Sequence, residues 1–351
     1  MDCVDSLIAF VMHAFVALLL LVYLPLSLVL KLLRWAFLRP FSAEDMRGKV
    51  VLITGASSGI GEQLAYQYAK RGASMALVAR RTNALQAVAD NARKNGAPDV
   101  LVITADVSSS DESKRVVEQT IARFGQLDHL VANAGVWSTC LLEEVTNITA
   151  FNQLMDVNFW GSVYPTYYAI PYLKKSRGKI IVNASVAGRI PTARMTFYNA
   201  SKAAVIMFFE TLRSELGREV GITIATPGYV ASEITKGKAL QSNGEVAVNP
   251  ENRDIQVGPL PIGSTEDCAK IIVDGACKGD RTITWPSWYK PFEMVACLAP
   301  ELVDAFSQAF YTSNARGDSS ETLGKKILNM KGIKKLVYPN SVRSIGTKME
   351  E

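Results

Sequence analysis

The stretch Val50-Val51-Leu52-Ile53-Thr54-Gly55-Ala56-Ser57-Ser58-Gly59-Ile60-Gly61 decides the fold of this chain. Residues 50–54 are apolar or β-branched, as in a short buried strand, and small residues follow at once. Small residues let the backbone approach a pyrophosphate, and the next helix, predicted over 62–71, offers amide donors and a positive dipole end. This order predicts the first unit of a dinucleotide-binding domain. The loop residues expected to contact the cofactor are Gly55, Ser57, Ser58, Gly59, Ile60 and Gly61.

The same alternation continues downstream of the loop. Apolar runs predict further strands, and the periodic segments between them predict helices. The strands are expected at 75–79, 100–104, 129–132, 179–183 and 222–225, and the helices at 83–94, 113–124 and 196–219. Continuously apolar strands that alternate with helices are typical of a parallel sheet covered on both faces. The sequence therefore predicts an α/β, Rossmann-like doubly wound fold.

The end of the second strand selects the cofactor. In NAD-binding units an acidic residue about 20 positions after the glycine loop accepts the ribose hydroxyls. Here that place has the sequence Ala79-Arg80-Arg81, with no carboxylate and with two guanidinium groups that can pair with a 2′-phosphate. The sequence therefore predicts NADP, held by Arg80 and Arg81.

Further loops follow later strands, at the carboxyl edge where open α/β sheets bind ligands. Asp106 and Val107 follow the third strand, where a carboxylate can meet an adenine edge. Asn133, Ala134 and Gly135 follow the fourth strand, where small residues admit the cofactor, and Pro227 and Gly228 follow the sixth. All of them are expected to contact the nucleotide.

Tyr198-Asn199-Ala200-Ser201-Lys202 places a phenol and an ammonium on one helical face. A nearby cation favours the phenolate, so the pKa of Tyr198 is expected to lie below its usual value of about 10, making the hydroxyl a usable acid and base. Ser185, at the end of the fifth strand, is expected to hydrogen-bond the reacting oxygen beside Tyr198. The spacing alone is a weak signal, because Tyr66 and Lys70 share it; the surrounding motifs distinguish Tyr198.

This order of motifs, from about Gly48 to Gly279, resembles the short-chain dehydrogenase/reductase family. Asn158, in the motif Asn158-Phe159-Trp160-Gly161, matches the family's fourth catalytic residue. The resemblance implies that Tyr198 is the acid and base, Lys202 binds the nicotinamide ribose and tunes Tyr198, Ser185 positions the substrate, and Asn158 holds a water in a proton relay. It also implies a homodimer formed through the helices that carry Asn158 and Tyr198. Ala132 departs from the family pattern, where asparagine is common, but removes no catalytic group.

The first 42 residues are expected to form a hydrophobic anchor. No residue from Ser6 to Leu30 carries a full charge, and as a helix this run would be about 37 Å long against a hydrocarbon core of about 30 Å. An acidic leader argues against a cleaved signal peptide, and the basic residues on the C-terminal flank favour a cytosolic catalytic domain. Pro25 and Pro40 favour a kinked insertion into one leaflet, whereas an ordinary spanning signal-anchor helix is the alternative. The flanking basic residues are Lys31, Arg34 and Arg39.

An anchor of this kind, joined to the glycine loop, to Asn158-Phe159-Trp160-Gly161-Ser162-Val163-Tyr164 and to the Tyr198 motif, resembles the steroleosins, a group of plant oil-body hydroxysteroid dehydrogenases. That resemblance implies a preference for NADP and a sterol-like substrate. It also implies a location on lipid droplets or the endoplasmic reticulum.

Composition excludes several other classes. Apolar residues make up 48% of the chain, which excludes a disordered protein, and a net charge of +5 is too mild to predict nucleic-acid binding. Two histidines (His13 and His129) and five scattered cysteines give no metal-ligand spacing, so no metal site is expected. The tail at 314–351 has eight basic and four acidic residues and is expected to lie on anionic lipid or in solvent.

The sequence divides into an anchor at 1–42, an NADP-binding core at 43–280 and a C-terminal extension at 281–351. Residues 229–262, polar in the middle and placed after the sixth strand, are expected to be a substrate lid, and we name them the lid segment. The extension carries Trp285, Trp288, Tyr289 and Phe292 and an apolar run at 295–310. This region is expected to wall a sterol pocket, to contact lipid or to belong to the core.

Two classes of function fit these residues. The first is an NADP-dependent oxidoreductase that interconverts a secondary alcohol and a ketone on a sterol-like lipid, with a retinol-type substrate as the alternative. The second is a lipid-droplet coat or sterol-binding protein that keeps the fold without chemistry. The presence of Asn158, Ser185, Tyr198 and Lys202 together favours the enzyme, because a coat needs none of them.

Overall fold

A computed structural model describes residues 2–33, 43–312 and 322–343, and the chain divides into one unit at Met1–Glu44 and another at Asp45–Glu351. The first unit is helix α1 (Asp2–Leu33), which contains Pro25. Its segment Val4–Leu30 has a mean hydropathy of 2.7, and its apolar side chains are exposed. This helix is long and apolar enough to be a candidate membrane anchor. The predicted flanking residues Arg34, Arg39 and Pro40 lie outside the described residues.

The second unit is built on nine β-strands among the described residues, and the first six follow the predicted apolar runs. The strands are β1 (Val50–Thr54), β2 (Ser74–Ala79), β3 (Val100–Thr104), β4 (His129–Ala132), β5 (Lys179–Asn183), β6 (Gly221–Pro227), β7 (Lys238–Leu240), β8 (Val246–Val248) and β9 (Thr282–Trp285). Seven of them form a parallel sheet in the order β3-β2-β1-β4-β5-β6-β9, while β7 and β8 form a separate antiparallel pair. The strand order reverses between β1 and β4, which is where doubly wound sheets bind ligands.

Helices cover both faces of the sheet. They are α2 (Gly59–Ala69), α3 (Thr82–Lys94), α4 (Ser110–Phe124), α5 (Asn152–Leu154), α6 (Gly161–Ser176), α7 (Thr196–Leu216), α8 (Pro250–Val257), α9 (Thr265–Cys277), α10 (Tyr289–Leu298), α11 (Pro300–Tyr311), α12 (Leu323–Leu328), α13 (Ile333–Val337) and α14 (Asn340–Arg343). A π-helical segment, Met155–Trp160, joins α5 to α6, and short 3-10 turns occupy Leu142–Glu144, Ile148–Phe151 and Val186–Gly188.

Alternation along β1 shows how the two cores form. Val51 and Ile53 pack in a core with residues of α2, α3 and α9, whereas Val50 and Leu52 face α4, α6 and α7 on the other side. Successive strand side chains point to opposite faces, so a continuously apolar strand supplies both cores. The predicted Rossmann-like fold is confirmed.

The structure adds three strands that the sequence did not predict: β7 and β8 in the lid segment, and β9 in the parallel sheet. β9 at the sheet edge has four residues, only two of them buried, which gives too short an apolar run to recognise. It lies beyond residue 280, where the sequence placed the end of the core; the division at 42 and 280 stays a prediction.

The C-terminal residues 322–343 fold against the lid segment. Leu328, Tyr338 and Val342 pack with Val257 and Ile262 of that segment in a small buried cluster. Lys325 pairs with Glu251 at 2.6 Å, and Lys334 pairs with Asp254 at 2.5 Å. The expectation of a wholly solvated or lipid-bound basic tail is therefore wrong for this part, and residues 313–321 and 344–351 lie outside the described residues.

Candidate active site

The glycine loop forms a cradle that larger residues would fill. Gly55 has φ +64°, and a Cβ added there would lie 2.7 Å from the Cα of Ala134. A Cβ at Gly61 would lie 2.3 Å from the carbonyl oxygen of Gly55. Glycine is thus required at both positions, and the space in front of α2 fits a dinucleotide pyrophosphate.

One cavity of about 590 Å³ joins the glycine loop to the residues proposed for chemistry. It also contains Asn183, whose side-chain oxygen is buried and has no hydrogen-bond partner among the described residues, so an acceptor is left open to a ligand. All the predicted cofactor and substrate contacts line this cavity: Gly55, Ser57, Ser58, Gly59, Ile60, Gly61, Arg80, Arg81, Asp106, Val107, Asn133, Ala134, Gly135, Ser185, Tyr198, Lys202, Pro227 and Gly228.

Asn133 holds the strand ends together at the reversal point. Its side-chain amide donates to the carbonyl oxygens of Thr54 at 3.0 Å and Gly55 at 3.3 Å, and its side-chain oxygen accepts from Asn183 at 2.8 Å. The ends of β1, β4 and β5 are therefore fixed by one side chain, which keeps the floor of the nucleotide crevice in place.

The two arginines lie at the mouth of the crevice and are partly exposed. Arg81 donates to Ser58 Oγ at 2.8 Å and to Glu233 Oε1 at 2.6 Å, while Arg80 Nη1 lies 3.7 Å from Asp106 Oδ2. No carboxylate ends β2, as the sequence indicated, but the lid segment brings Glu233 to the same place. Sequence reasoning missed Glu233, because 152 residues separate it from Arg81 and no motif links them.

Tyr198 and Lys202 lie one turn apart on α7, and Ser185 follows β5. Lys202 Nζ is 5.9 Å from the centre of the Tyr198 ring and donates to the backbone oxygen of Asn183 at 3.0 Å. Ser185 hydrogen-bonds Tyr198 and also accepts from the amide of Ala187 at 3.2 Å. The structure thus brings the predicted phenol, ammonium and hydroxyl to one wall of the cavity.

Burial sets the acidity of these groups. Desolvation raises the pKa of Tyr198 to about 12, and the hydrogen bond from Ser185 offsets only part of that rise. Burial also lowers the pKa of Lys202 to about 8. The expected fall in the pKa of Tyr198 is therefore wrong, because desolvation raises the pKa by more than the hydrogen bond from Ser185 lowers it. At neutral pH Tyr198 is a phenol with a proton to donate.

Asn158 lies outside the cavity wall, fully buried in the π-helical segment. Its amide donates to Val136 O and to Ser201 Oγ, both at 2.9 Å, and its oxygen accepts from Val136 N at 2.8 Å. The side chain therefore ties the Gly135 loop to the helix of Tyr198. π-Helical turns of this kind are frequent at functional sites. Its predicted part in a proton relay stays a prediction.

The far end of the cavity is apolar and is built from the C-terminal extension. Trp288, Tyr289 and Phe292 line it, together with Leu302 and Phe306 of α11. The sequence left three alternatives for this region: a pocket wall, a lipid contact or part of the core. These residues line the cavity, whereas Trp285 packs against the core. Two contacts fix the extension to the loop after β5: Arg189 with Glu293 at 2.9 Å, and the amide of Ala193 with Ser307 Oγ at 2.8 Å.

Comparison with known proteins agrees with this geometry. A family model described as short chain dehydrogenase matches residues 49–243. The chain is 48% identical to 11-beta-hydroxysteroid dehydrogenase 1A of Arabidopsis thaliana, over 92% of each chain, and 46% identical to 11-beta-hydroxysteroid dehydrogenase A of Sesamum indicum, over 98% of each. A solved short chain dehydrogenase/reductase from Burkholderia phymatum, in complex with NAD, is 26% identical with a TM-score of 0.66, covering 74% of this chain and 96% of that one.

Proposed function

The chain belongs to the short-chain dehydrogenase/reductase family and is an oxidoreductase of CH–OH groups, and we propose that it uses NADP to interconvert a secondary alcohol and a ketone on a sterol-like lipid. One observation carries the proposal. Tyr198, with Ser185 and Lys202, lines a single cavity that has a glycine cradle and arginines at one end and aromatic walls at the other.

The chemistry follows from where these side chains lie. When bound, the nicotinamide supplies or accepts the hydride. Tyr198 donates its proton to the carbonyl oxygen during reduction and takes the hydroxyl proton during oxidation, and Ser185 donates a hydrogen bond to the same oxygen. Because the pKa of Tyr198 is about 12, the residue is ready for reduction at neutral pH, whereas oxidation needs the charge of Lys202 to favour the phenolate.

The preference for NADP rests on two guanidinium groups at the mouth of the crevice. Arg80 and Arg81 are partly exposed there, and Ser58 adds a hydroxyl within 2.8 Å of Arg81. This set offers charge-assisted donors to a 2′-phosphate.

The sterol-like substrate rests on the apolar wall and on the relatives named as 11-beta-hydroxysteroid dehydrogenases. Leu298 and Leu302, which are 78% and 64% exposed, extend this apolar surface to the outside of α10 and α11. Together with the apolar helix α1 they support a place on a lipid droplet or the endoplasmic reticulum, with the catalytic unit in the cytosol.

A homodimer is part of the proposal. The expected interface helices, α6 and α7, expose Tyr167 and Met207, each to 68%, and Trp160, which ends the π-helical segment that carries Asn158 and leads into α6, is 41% exposed. Large apolar side chains exposed on neighbouring helices support pairing with a second copy.

The proposal is tested by assaying the full chain in detergent micelles with NADPH or NADP and a panel of steroid ketones and alcohols. Tyr198→Phe is expected to lower kcat by about 10²- to 10⁴-fold while NADPH still binds. Tyr66→Phe is the matched control, because Tyr66 shares the spacing to a lysine but hydrogen-bonds Glu62 instead, so its activity is expected to be unchanged. Full activity of Tyr198→Phe, or no turnover of any lipophilic alcohol or ketone by the unaltered protein, would contradict the proposal.

The cofactor assignment has its own test. Replacing Arg80 and Arg81 together by alanine is expected to weaken NADPH binding by about 10²-fold and NADH binding much less, because charge-assisted bonds to the phosphate are lost. Equal losses for the two nucleotides would overturn it.

A further inference from the structure

A carboxylate of the lid segment lies where the cofactor's ribose phosphate is proposed to bind. Glu233 Oε1 is 2.6 Å from Arg81 Nη1, and both side chains line the cavity. A carboxylate beside the adenosine ribose is typical of NAD-binding sites, since it accepts from the 2′-hydroxyl and repels a 2′-phosphate. The crevice thus combines two arginines after β2, which are typical of NADP-binding sites, with a carboxylate from the lid segment, which is typical of NAD-binding sites.

The backbone around Glu233 fixes it in that position. The Ser232 amide donates to Thr235 Oγ1 at 2.9 Å, and the Thr235 hydroxyl donates to Val230 O at 2.7 Å, so the turn is closed by its own hydrogen bonds. The turn also packs on the glycine loop, because a Cβ added at Gly59 would lie 3.3 Å from Ser232 Cβ. Glu233 is therefore held over the nucleotide crevice by residues on both sides.

A second cation shares the carboxylate. Lys238 Nζ lies 2.8 Å from Glu233 Oε2, while Arg81 contacts the other oxygen. If the guanidinium of Arg81 turns to another anion, Glu233 keeps Lys238 as a partner. When Arg81 leaves Glu233 for a phosphate, one ion pair is broken, but the partly buried Glu233 carboxylate stays paired with Lys238.

We propose that Glu233 is a cofactor-specificity residue, which competes with the 2′-phosphate of NADP for Arg81. The inference rests on the proposed function. NADP must take the guanidinium from Glu233 before the phosphate is paired, whereas NAD leaves the Arg81–Glu233 pair intact. Glu233 therefore reduces the ratio of NADP affinity to NAD affinity below the value that Arg80 and Arg81 alone would give.

The test measures nucleotide affinity without turnover, by calorimetric titration of the full chain in detergent micelles with NADPH and with NADH. Glu233→Gln keeps the shape and removes the charge, so NADPH is expected to bind about fivefold more tightly and NADH about as before. Glu245→Gln is the matched control, because Glu245 lies in the same segment but pairs with Asn243; it is expected to change neither affinity. In an Arg81→Ala background, Glu233→Gln is expected to tighten NADPH binding less than it does in the unaltered protein, because no Arg81 guanidinium is left to compete for.

Three outcomes would overturn the inference. Weaker NADPH binding by Glu233→Gln would mean that Glu233 orients Arg81 for the phosphate. Equal changes for NADPH and NADH would mean that Glu233 acts only through the lid segment, and no change in either would mean that the pair is not disturbed by the phosphate. Binding of neither nucleotide to the unaltered protein would instead refute the proposed function, so the two failures are distinguishable.

Discussion

Replacement of Lys202 by methionine is expected to stabilise the protein while it abolishes activity. The Lys202 side chain is only 4% exposed, and its ammonium donates to one backbone oxygen, that of Asn183, at 3.0 Å. A buried ammonium with so few partners is destabilising, because water solvates the charge better than the protein does. Methionine keeps the length and apolar stem of lysine and removes the charge.

The magnitude follows from the pKa of Lys202, which burial lowers from the usual 10.5 to about 8. At about 1.36 kcal/mol per pKa unit, holding the charged form in the fold costs about 3 kcal/mol at pH 7. The unfolded chain keeps its proton up to 10.5 and the folded chain only up to about 8, so the cost is full below pH 8 and fades as pH rises towards 10.5. Loss of the hydrogen bond to Asn183 destabilises the variant by about 1 kcal/mol. The net gain at pH 7 is about 2 kcal/mol, or about 4 °C in Tm.

The assay is thermal unfolding of the full chain in detergent micelles, followed by tryptophan fluorescence at pH 7 and pH 10. Lys202→Met is expected to unfold at a higher temperature than the unaltered protein at pH 7 and to lose most of that advantage at pH 10. Lys70→Met, which removes an exposed lysine paired with Glu266, is the control and should change little at either pH. A lower Tm for Lys202→Met at pH 7, or an equal gain at both pH values, would refute the assigned cost of burial.

Further predictions concern the cradle, the reacting oxygen and the apolar surface. Gly61→Ala places a Cβ 2.3 Å from Gly55 O, so it is expected to lower the free energy of unfolding by about 1–3 kcal/mol in a denaturant titration and to abolish NADPH binding; unchanged binding would contradict the cradle. Ser185→Ala removes the hydrogen bond that lowers the pKa of Tyr198, so alcohol oxidation should fall by about 10²- to 10³-fold and its pH–rate profile should move to higher pH; an unmoved profile would contradict that role. Leu298→Glu should reduce partition onto phospholipid vesicles and leave kcat for a detergent-solubilised steroid unchanged, because Leu298 is exposed and does not line the cavity; equal partition would count against the lipid contact.

The sheet and the crevice were predictable because their signals are local. Residues 50–54 are continuously apolar, and Gly61 is required by its contact with Gly55 inside the same turn, so a short window of sequence contains most of the cause; the close approach of Ala134 to Gly55 is the tertiary part. The acidity of Tyr198 was not predictable, because it depends on desolvation by chain segments that are far apart in sequence, which outweighs the hydrogen bond from Ser185.

The Arg81–Glu233 pair was out of reach for a different reason. The missing carboxylate after β2 argues for NADP only if no other segment supplies one, and a closed turn in the lid segment does supply one. The sequence shows that no carboxylate follows β2, but only the folded structure shows that Glu233 is brought to the same place. The edge strand β9 was missed in the same way, since its pairing with β6 rather than its composition defines it.

The lid segment joins the two ends of the cavity. Glu233 contacts Arg81 at the cofactor end, and Lys238, which holds the other carboxylate oxygen, begins β7. The next residues of β7, Ala239 and Leu240, line the same cavity and are buried. Because one short strand carries both the partner of Glu233 and part of the cavity wall, we expect a change in the Arg81–Glu233 pair to reach that wall through the backbone of β7. The carboxylate that we propose sets the choice of nucleotide is therefore anchored to a strand that lines the cavity proposed for the lipid.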